Sequence, residues 1–334
     1  MGDLRSGEPD GVLVAQRIPL AAGRRNGTAK ITPVPTTLIP PRLSAGDRVR
    51  LVSPASCPSE ELLAESVRVL ESWGLVPEVS AHALDRRGFL AGRDGDRAAD
   101  LNEAYRDPGV RAVFATRGGA GAYRIVDLID FDAVRADPKP LVGFSDITAL
   151  HLALWRGCRI AGVHGFLSGE RSAASTRALL EGAGSVLRRD PAALTAAVGV
   201  SGVASGPVLG GRLGTVAGAV GAGLPPLDGA ILFLEAPRGT GLGQVDRQLT
   251  QLMRSGALRG VRGVALGRFP GFEDYEDRGW TVLDVLRDRL GALSVPVLGG
   301  LDVGHGDSPL SLALGPVGRL DTEAGTLTTE PATR

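Results

Sequence analysis

The sequence predicts an α/β fold, with a helix-covered parallel sheet in its N-terminal part and a smaller β-rich region after it. Three observations carry this. Between residues 47 and 144, short apolar runs of strand length alternate with segments whose apolar residues recur at helical spacing, which is how a parallel sheet with helices on both faces reads. After about residue 206, Gly-rich strand-like runs dominate. The 334-residue chain is 43% hydrophobic and 22% charged, the composition of a soluble globular protein with ample material for a core.

The elements follow in chain order. Residues 1–42 are rich in Gly, Pro, Thr and Arg and close on Pro33, Pro35, Pro40 and Pro41, so a poorly ordered extension is expected there. Residues 47–52 read as a strand ending at Ser53. Residues 59–73 place Leu62, Leu63, Val67, Leu70 and Trp73 at helical spacing, with Ser59 as the cap and Gly74 as the stop. A strand at 75–79, a helix at 94–105 with Ala98, Leu101 and Tyr105 inward, and a strand at 110–116 come next. Residues 123–128 read as helical and 141–144 as a strand. The N-terminal α/β domain is therefore expected at 43–167. Residues 168–205 read as a linker with some helix. A C-terminal domain is expected at 206–325, with strands at 207–213, 230–235, 261–268, 295–301 and 310–314 and helices at 244–254 and 281–290.

Charge and composition remove several functions. There are 37 basic and 37 acidic residues, dispersed along the chain, so nothing resembles a nucleic-acid footprint or a polybasic membrane segment. Lys30 and Lys139 are the only lysines, which reads as coding bias toward arginine. Cys57 and Cys158 form no C-x-x-C and stand in no Cys/His cluster, so neither a zinc site nor a disulfide scaffold is supported. No apolar stretch approaches a membrane span. The N-terminal run VLVA (12–15) is too short for a signal segment, and a cytoplasmic protein is expected.

The most informative residue is Ser145. A short apolar run ending in Gly143 precedes it, and Asp146 with a helical apolar pattern follows. A serine at such a corner has its hydroxyl lifted out of the sheet beside a positive helix end, where a nucleophile can be activated and its oxyanion neutralised. The same pattern is also that of an ordinary helix N-cap.

A nucleophilic serine needs a base and an acid that orients it. His82 is expected to be solvated. His151 is nearly two helical turns beyond Ser145, about 9 Å of rise and too far for a direct bond. His164, after a short strand, could line the same sheet edge or serve the structure. His305 lies between Gly304 and Gly306, and flanking glycines permit unusual backbone angles and close approach. Glu235 ends the apolar run 230–235, where a carboxylate is not buried without a partner. An oxyanion hole would combine the Asp146 N–H with that of Gly118 or Gly119. The Gly-rich loop at 117–121 could also cradle a phosphate, but it lacks both the Walker Lys-Ser/Thr and the G-x-G-x-x-G spacing.

These residues resemble a known family. The stretches LAGRDGDRAADL (90–101), RGGAG (117–121) and PKPLVGFSDIT (138–148), then His164-Gly165, LFLE (232–235), Asp246-Arg247 with Leu249, and Gly304-His305-Gly306, run in the order seen in the LD-carboxypeptidases of serine peptidase family S66. That family comprises muramoyltetrapeptide carboxypeptidases and microcin C immunity peptidases. The resemblance implies a flavodoxin-like N-terminal domain, a β-rich C-terminal domain, a Ser-Glu-His triad (Ser145, Glu235, His305), a homodimer, no metal and no cofactor. It makes a muropeptide with a terminal D-amino acid the expected substrate, with Arg117, His164 and Arg212 as candidate substrate-binding residues. The alternatives are a self-immunity or natural-product enzyme acting on a peptidyl-nucleotide or related conjugate, and a non-catalytic binding module. Four residues depart from the usual family pattern: Ala120 for an aromatic, Ala236 for Asp, Arg212 for Asn and Phe166 for Pro. They bear on substrate choice. No aromatic lies between Phe166 and Phe233, so the intervening loop offers no platform for a nucleobase, which favours a peptide.

Overall fold

The computed structural model describes residues 36–239 and 241–334. The expected extension lies outside the described residues as far as residue 35. From residue 36 the chain is fastened: the Leu38 N–H donates to the Arg159 carbonyl, Ala161 donates back to the Leu38 carbonyl, and the Arg42 N–H donates to Arg334.

The N-terminal part alternates strand and helix. It comprises β1 (Arg48–Val52), α1 (Glu60–Ser72), β2 (Val76–Val79), α2 (Asp94–Arg106), β3 (Val110–Ala115), α3 (Phe131–Ala136), β4 (Leu141–Val142), α4 (Thr148–Cys158) and β5 (Gly162–His164). Helix α1 starts where the Ser59 hydroxyl accepts the Leu62 N–H at 3.2 Å. Glu60 and Glu61 in its first turn favour the positive helix end. The strands pair in parallel in the order β2-β1-β3-β4-β5, the flavodoxin-like order, whose switch point lies between β1 and β3. Alternate strand residues face opposite ways. Val113 and Leu141 pack against α2, α3 and α4, while Phe114, Val142 and Val163 pack against α1 and the next helix, α5 (Glu170–Leu180). Burying one such Leu or Val side chain contributes about 1.5–3 kcal/mol.

The expected linker, 168–205, carries α5, β6 (Val186–Arg188) and β7 (Gly199–Val200), and both strands join the second sheet. The remaining elements are β8 (Val203–Arg212), α6 (Leu213–Gly218), β9 (Ile231–Glu235), α7 (Leu242–Arg254), β10 (Gly263–Leu266), β11 (Glu276–Asp277), β12 (Trp280–Thr281), α8 (Val282–Gly291), β13 (Val297–Leu298), β14 (Leu312–Leu314), β15 (Val317–Asp321) and β16 (Thr326–Thr329). The second sheet runs β6-β16-β15-β8-β9-β10-β13-β7. Its centre, β8-β9-β10-β13, is parallel. Leu242, Val245, Leu249 and Leu252 of α7 fall on one buried face, at the spacing a core-facing helix needs. They pack with α6 and α8 against Leu232, Leu234 and Val264.

Three details differ from expectation. Residues 123–128 form two single 3₁₀ turns, Ala122–Arg124 and Val126–Leu128, separated at Ile125 by φ −111° and ψ 3°. Strand β14 leaves the C-terminal region and pairs antiparallel with β5, extending the first sheet. Strands β15 and β16 extend the second sheet to residue 329. Among the described residues, no helix is long and apolar enough to cross a membrane.

Candidate active site

Ser145 stands at a strained corner after β4. A Cβ on Gly143 would lie 2.7 Å from Ile147 Cγ2, so only glycine lets the chain turn so tightly there. Ser145 itself has φ 59°, a left-handed conformation that costs a non-glycine residue about 1–3 kcal/mol. It opens a short 3₁₀ turn, Ser145–Ile147, that leads into α4, and neither helical segment has a side-chain cap bond. The capping alternative is therefore set aside: the hydroxyl points elsewhere, to His305 Nε2 at 3.1 Å.

The imidazole is oriented from its other side. His305 Nδ1 is 2.6 Å from Glu235 Oε2, and the His305 backbone N–H reaches the same oxygen at 3.3 Å. An ionised carboxylate can only accept, so Nδ1 carries the proton and Nε2 is left to accept the Ser145 hydroxyl. Glu235 ends β9 and is fully buried, while the His305 side chain is 23% exposed. The glycines flanking His305 have separate reasons. Gly304 has φ +107°, and a Cβ there would lie 2.7 Å from Glu235 Cβ. Gly306 has φ +147°, and a Cβ there would lie 2.5 Å from Arg268 Nη1.

The Gly-rich loop after β3 lies against the same corner. A Cβ on Gly118 would lie 2.8 Å from Ser145 Cβ and 3.3 Å from the Asp146 nitrogen, so the Gly118 backbone and the Asp146 N–H are neighbours at Ser145. Gly119 adopts φ +101°. The loop is held from two sides. The Ser56 hydroxyl accepts the Ala120 N–H at 3.1 Å, and the Ser56 N–H donates to the Gly118 carbonyl at 3.2 Å. The Asp146 carboxylate accepts the Ala122 N–H at 2.8 Å. Burial pushes the Asp146 carboxyl up, partly offset by that hydrogen bond.

A cavity of about 510 Å³ opens onto Ser145 and His305, walled by Leu62, Phe114, Phe166 and Leu167 with Arg117 and Gly118. Of the three candidate substrate-binding residues, Arg117 lies on this wall. Arg212 lines a second cavity of about 370 Å³, shared with Asp146, Tyr123 and Arg156. His164 is 1% exposed and lines neither cavity. It packs edge-on against Phe144 and Phe233, neither ring nitrogen has a partner among the described residues, and burial holds it down at about 3. His151 donates Nε2–H to the Gly143 carbonyl, 3.0 Å away, and is held down to about 4 by burial. His82 is paired with Asp85 at 2.9 Å, which raises it.

Ser56 was not a candidate from the sequence, although it follows β1 at the same sheet edge as Ser145. Strand-end position was the available signal. Asp302, Arg171 and Arg268, which surround the His305 loop, left no such signal, because Asp302 pairs with Arg171 across 131 residues and with Arg268 across 34.

Comparison with known proteins gives the chain's family. Residues 49–165 match the family model of the LD-carboxypeptidase N-terminal domain, and residues 205–320 match that of the LD-carboxypeptidase C-terminal domain. A Streptomyces coelicolor protein classed by name among the carboxypeptidases is 41% identical over 302 residues, 86% of this chain and 95% of its own. The murein tetrapeptide carboxypeptidase of Pseudomonas aeruginosa is 30% identical over 279 residues, 78% of this chain and 88% of its own. MccF, the microcin C7 self-immunity protein of Escherichia coli, is 26% identical over 82% of this chain and 90% of its own. A solved structure of MccF with glutamyl sulfamoyl guanosine, 22% identical, shares the fold at a TM-score of 0.78 over 88% of this chain and 98% of its own.

Proposed function

The chain belongs to the LD-carboxypeptidase family, serine peptidase family S66, and we propose that it removes a terminal D-amino acid from a muropeptide through Ser145, His305 and Glu235. The observation that carries this is the continuous chain Glu235–His305–Ser145, at 2.6 and 3.1 Å. It joins Ser145, after β4 of the first sheet, to Glu235, at the end of β9 in the second.

The chemistry follows from the atoms. His305 Nε2 takes the Ser145 proton as Oγ attacks the amide carbonyl, and Glu235 stabilises the imidazolium through Nδ1–H. The Asp146 N–H with that of Gly118 or Gly119 holds the oxyanion. His305 then gives its proton to the leaving amine, the C–N bond breaks, and D-Ala departs while the rest of the peptide stays as an ester on Ser145. Water, activated by the same imidazole, hydrolyses that ester. Arg117, on the cavity wall, is the cation for a substrate carboxylate. A cytoplasmic homodimer belongs to the same reading, and light scattering after gel filtration would check the assembly.

A second reading rests on the likeness to MccF, and would have the same triad cleave a peptidyl-nucleotide. Phe144 and Phe166 stack on one another with ring centres 4.6 Å apart, and both line the cavity at Ser145. The test is to incubate the protein with an L,D-tetrapeptide ending in meso-diaminopimelate–D-Ala and with a peptidyl-nucleotide. Mass spectrometry should find free D-Ala; free nucleotide alone would replace the muropeptide reading with the second one.

A further inference from the structure

The loop that carries His305 is conformationally demanding. Gly304 and Gly306 are left-handed at φ +107° and +147°, and Ser308 is left-handed at φ 48°. Three such residues within five do not hold one geometry unaided, and a catalytic bond of 3.1 Å requires that they do.

The loop is fastened at both ends. Asp302, immediately before the loop, is 16% exposed and lies between two guanidinium groups. Arg268, just after β10, donates Nε to Asp302 Oδ1 at 2.5 Å. Arg171, in the first turn of α5, pairs with Asp302 Oδ2 and also donates to the Ser308 carbonyl at 3.0 Å. One arginine thus ties the entry of the loop to its far limb. Helix α5 adds two further bonds to that limb: the Ser172 hydroxyl donates to Pro309 O at 2.7 Å, and Ser175 Oγ accepts the Ser311 N–H at 2.9 Å. The loop ends are closed on each other by Leu310 N–H to Asp302 O at 2.8 Å. Arg268 is also the residue that forbids a side chain on Gly306.

We propose that Asp302, held between Arg171 and Arg268, is a positioning residue for His305, and that α5 is the buttress against which the histidine loop is set. This rests on His305 being the base of the reaction proposed above. With the Asp302 charge removed, the two guanidinium groups face each other uncompensated, the Arg171 bridge to Ser308 loosens, and the imidazole moves off the Glu235–Ser145 line. The Arg171 side chain is half-exposed, and exposed pairs add little to stability, so Arg171→Met should melt close to the wild type, whereas Asp302→Asn, at a carboxylate only 16% exposed, should melt lower.

The test uses the full chain with its four histidines labelled with ¹⁵N in the imidazole ring. The His305 resonance is assigned by its loss in His305→Gln. In Asp302→Asn and in Arg171→Met the His305 Nδ1–H signal should shift or broaden, and in Asp302→Glu it should return toward the wild-type position. On the L,D-tetrapeptide, kcat should fall roughly 10- to 100-fold in the first two, as misplacement of a catalytic group does, with KM within about twofold. A folded Asp302→Asn or Arg171→Met whose His305 signal and kcat match the wild type overturns the proposal. If Asp302→Asn does not fold, Arg171→Met decides alone, since it alters a half-exposed helix position. A wild type that leaves the tetrapeptide intact would remove the substrate assignment, while the resonance still decides whether Asp302 positions His305.

Discussion

Gly304 and Glu235 compete for one space: a Cβ on residue 304 would lie 2.7 Å from both Glu235 Cβ and Cγ and 2.9 Å from Oε2. The bare backbone at 304 is what lets His305 approach a carboxylate that is itself fully buried. Gly304→Ala is expected to push the acid or the histidine loop aside, with strain at φ +107° adding about 1–3 kcal/mol of destabilisation. Urea unfolding and D-Ala release measured together should show both losses.

Glu235→Gln keeps the shape but removes the charge that fixes the Nδ1 proton. In the proposed triad, kcat is expected to fall by roughly 10³–10⁴, as in other triads whose histidine tautomer is lost, with KM little changed. A variant retaining a tenth of wild-type kcat would remove Glu235 from the mechanism.

Gly118→Ala would place a methyl 2.8 Å from Ser145 Cβ. The loop must then retreat from the corner and take its N–H groups with it. Loss of one oxyanion donor costs about 10²–10³ in kcat, and that is the expected fall. Ala120→Gly, one turn of the loop away, should stay within a few-fold; kinetics of both variants on one substrate make the comparison.

Acid should destabilise the fold through its buried histidines. His151 and His164 are held at about 4 and about 3 by burial, against about 6.5 in an unfolded chain. Between these values the unfolded chain binds protons that the folded one refuses, so stability falls as pH drops from 6.5 toward 4 and is unaffected above 6.5. Each histidine accounts for up to about 1.4 kcal/mol per pH unit in that window. Asp94, held at about 2 chiefly by Arg124, adds a loss only below its ordinary value near 3.8. Melting temperatures from pH 7.5 to 4 should trace this fall. His164→Leu should flatten it and should not lower stability at pH 7, because both ring nitrogens of His164 are buried without partners among the described residues.

Much of the site could be read from the chain because its residues sit where physics makes them conspicuous. Ser145 and Glu235 each close an apolar strand run, and His305 lies between two glycines. Helix α1 was legible from Ser59, which does cap it, and α7 from the spacing of Val245, Leu249 and Leu252. What was not legible depends on distant partners. Ser172 and Ser175 lie in the stretch read as a linker with some helix, yet their hydroxyls bond residues 309 and 311. Arg212 pairs in register with Glu235 across β8 and β9, so its neighbourhood to the site was inferable. Its place in the second cavity beside Asp146 was not, because side-chain direction follows from the packed corner and not from strand position. Strand β14 carries an ordinary apolar pattern, and nothing local says which sheet it joins.

The most direct test compares D-Ala release from the L,D-tetrapeptide by the wild type and by Ser145→Ala, side by side at neutral pH. The expected result is steady release by the wild type and a loss of at least about 10³-fold in the variant. Release by Ser145→Ala within tenfold of the wild type would contradict a serine nucleophile at this corner.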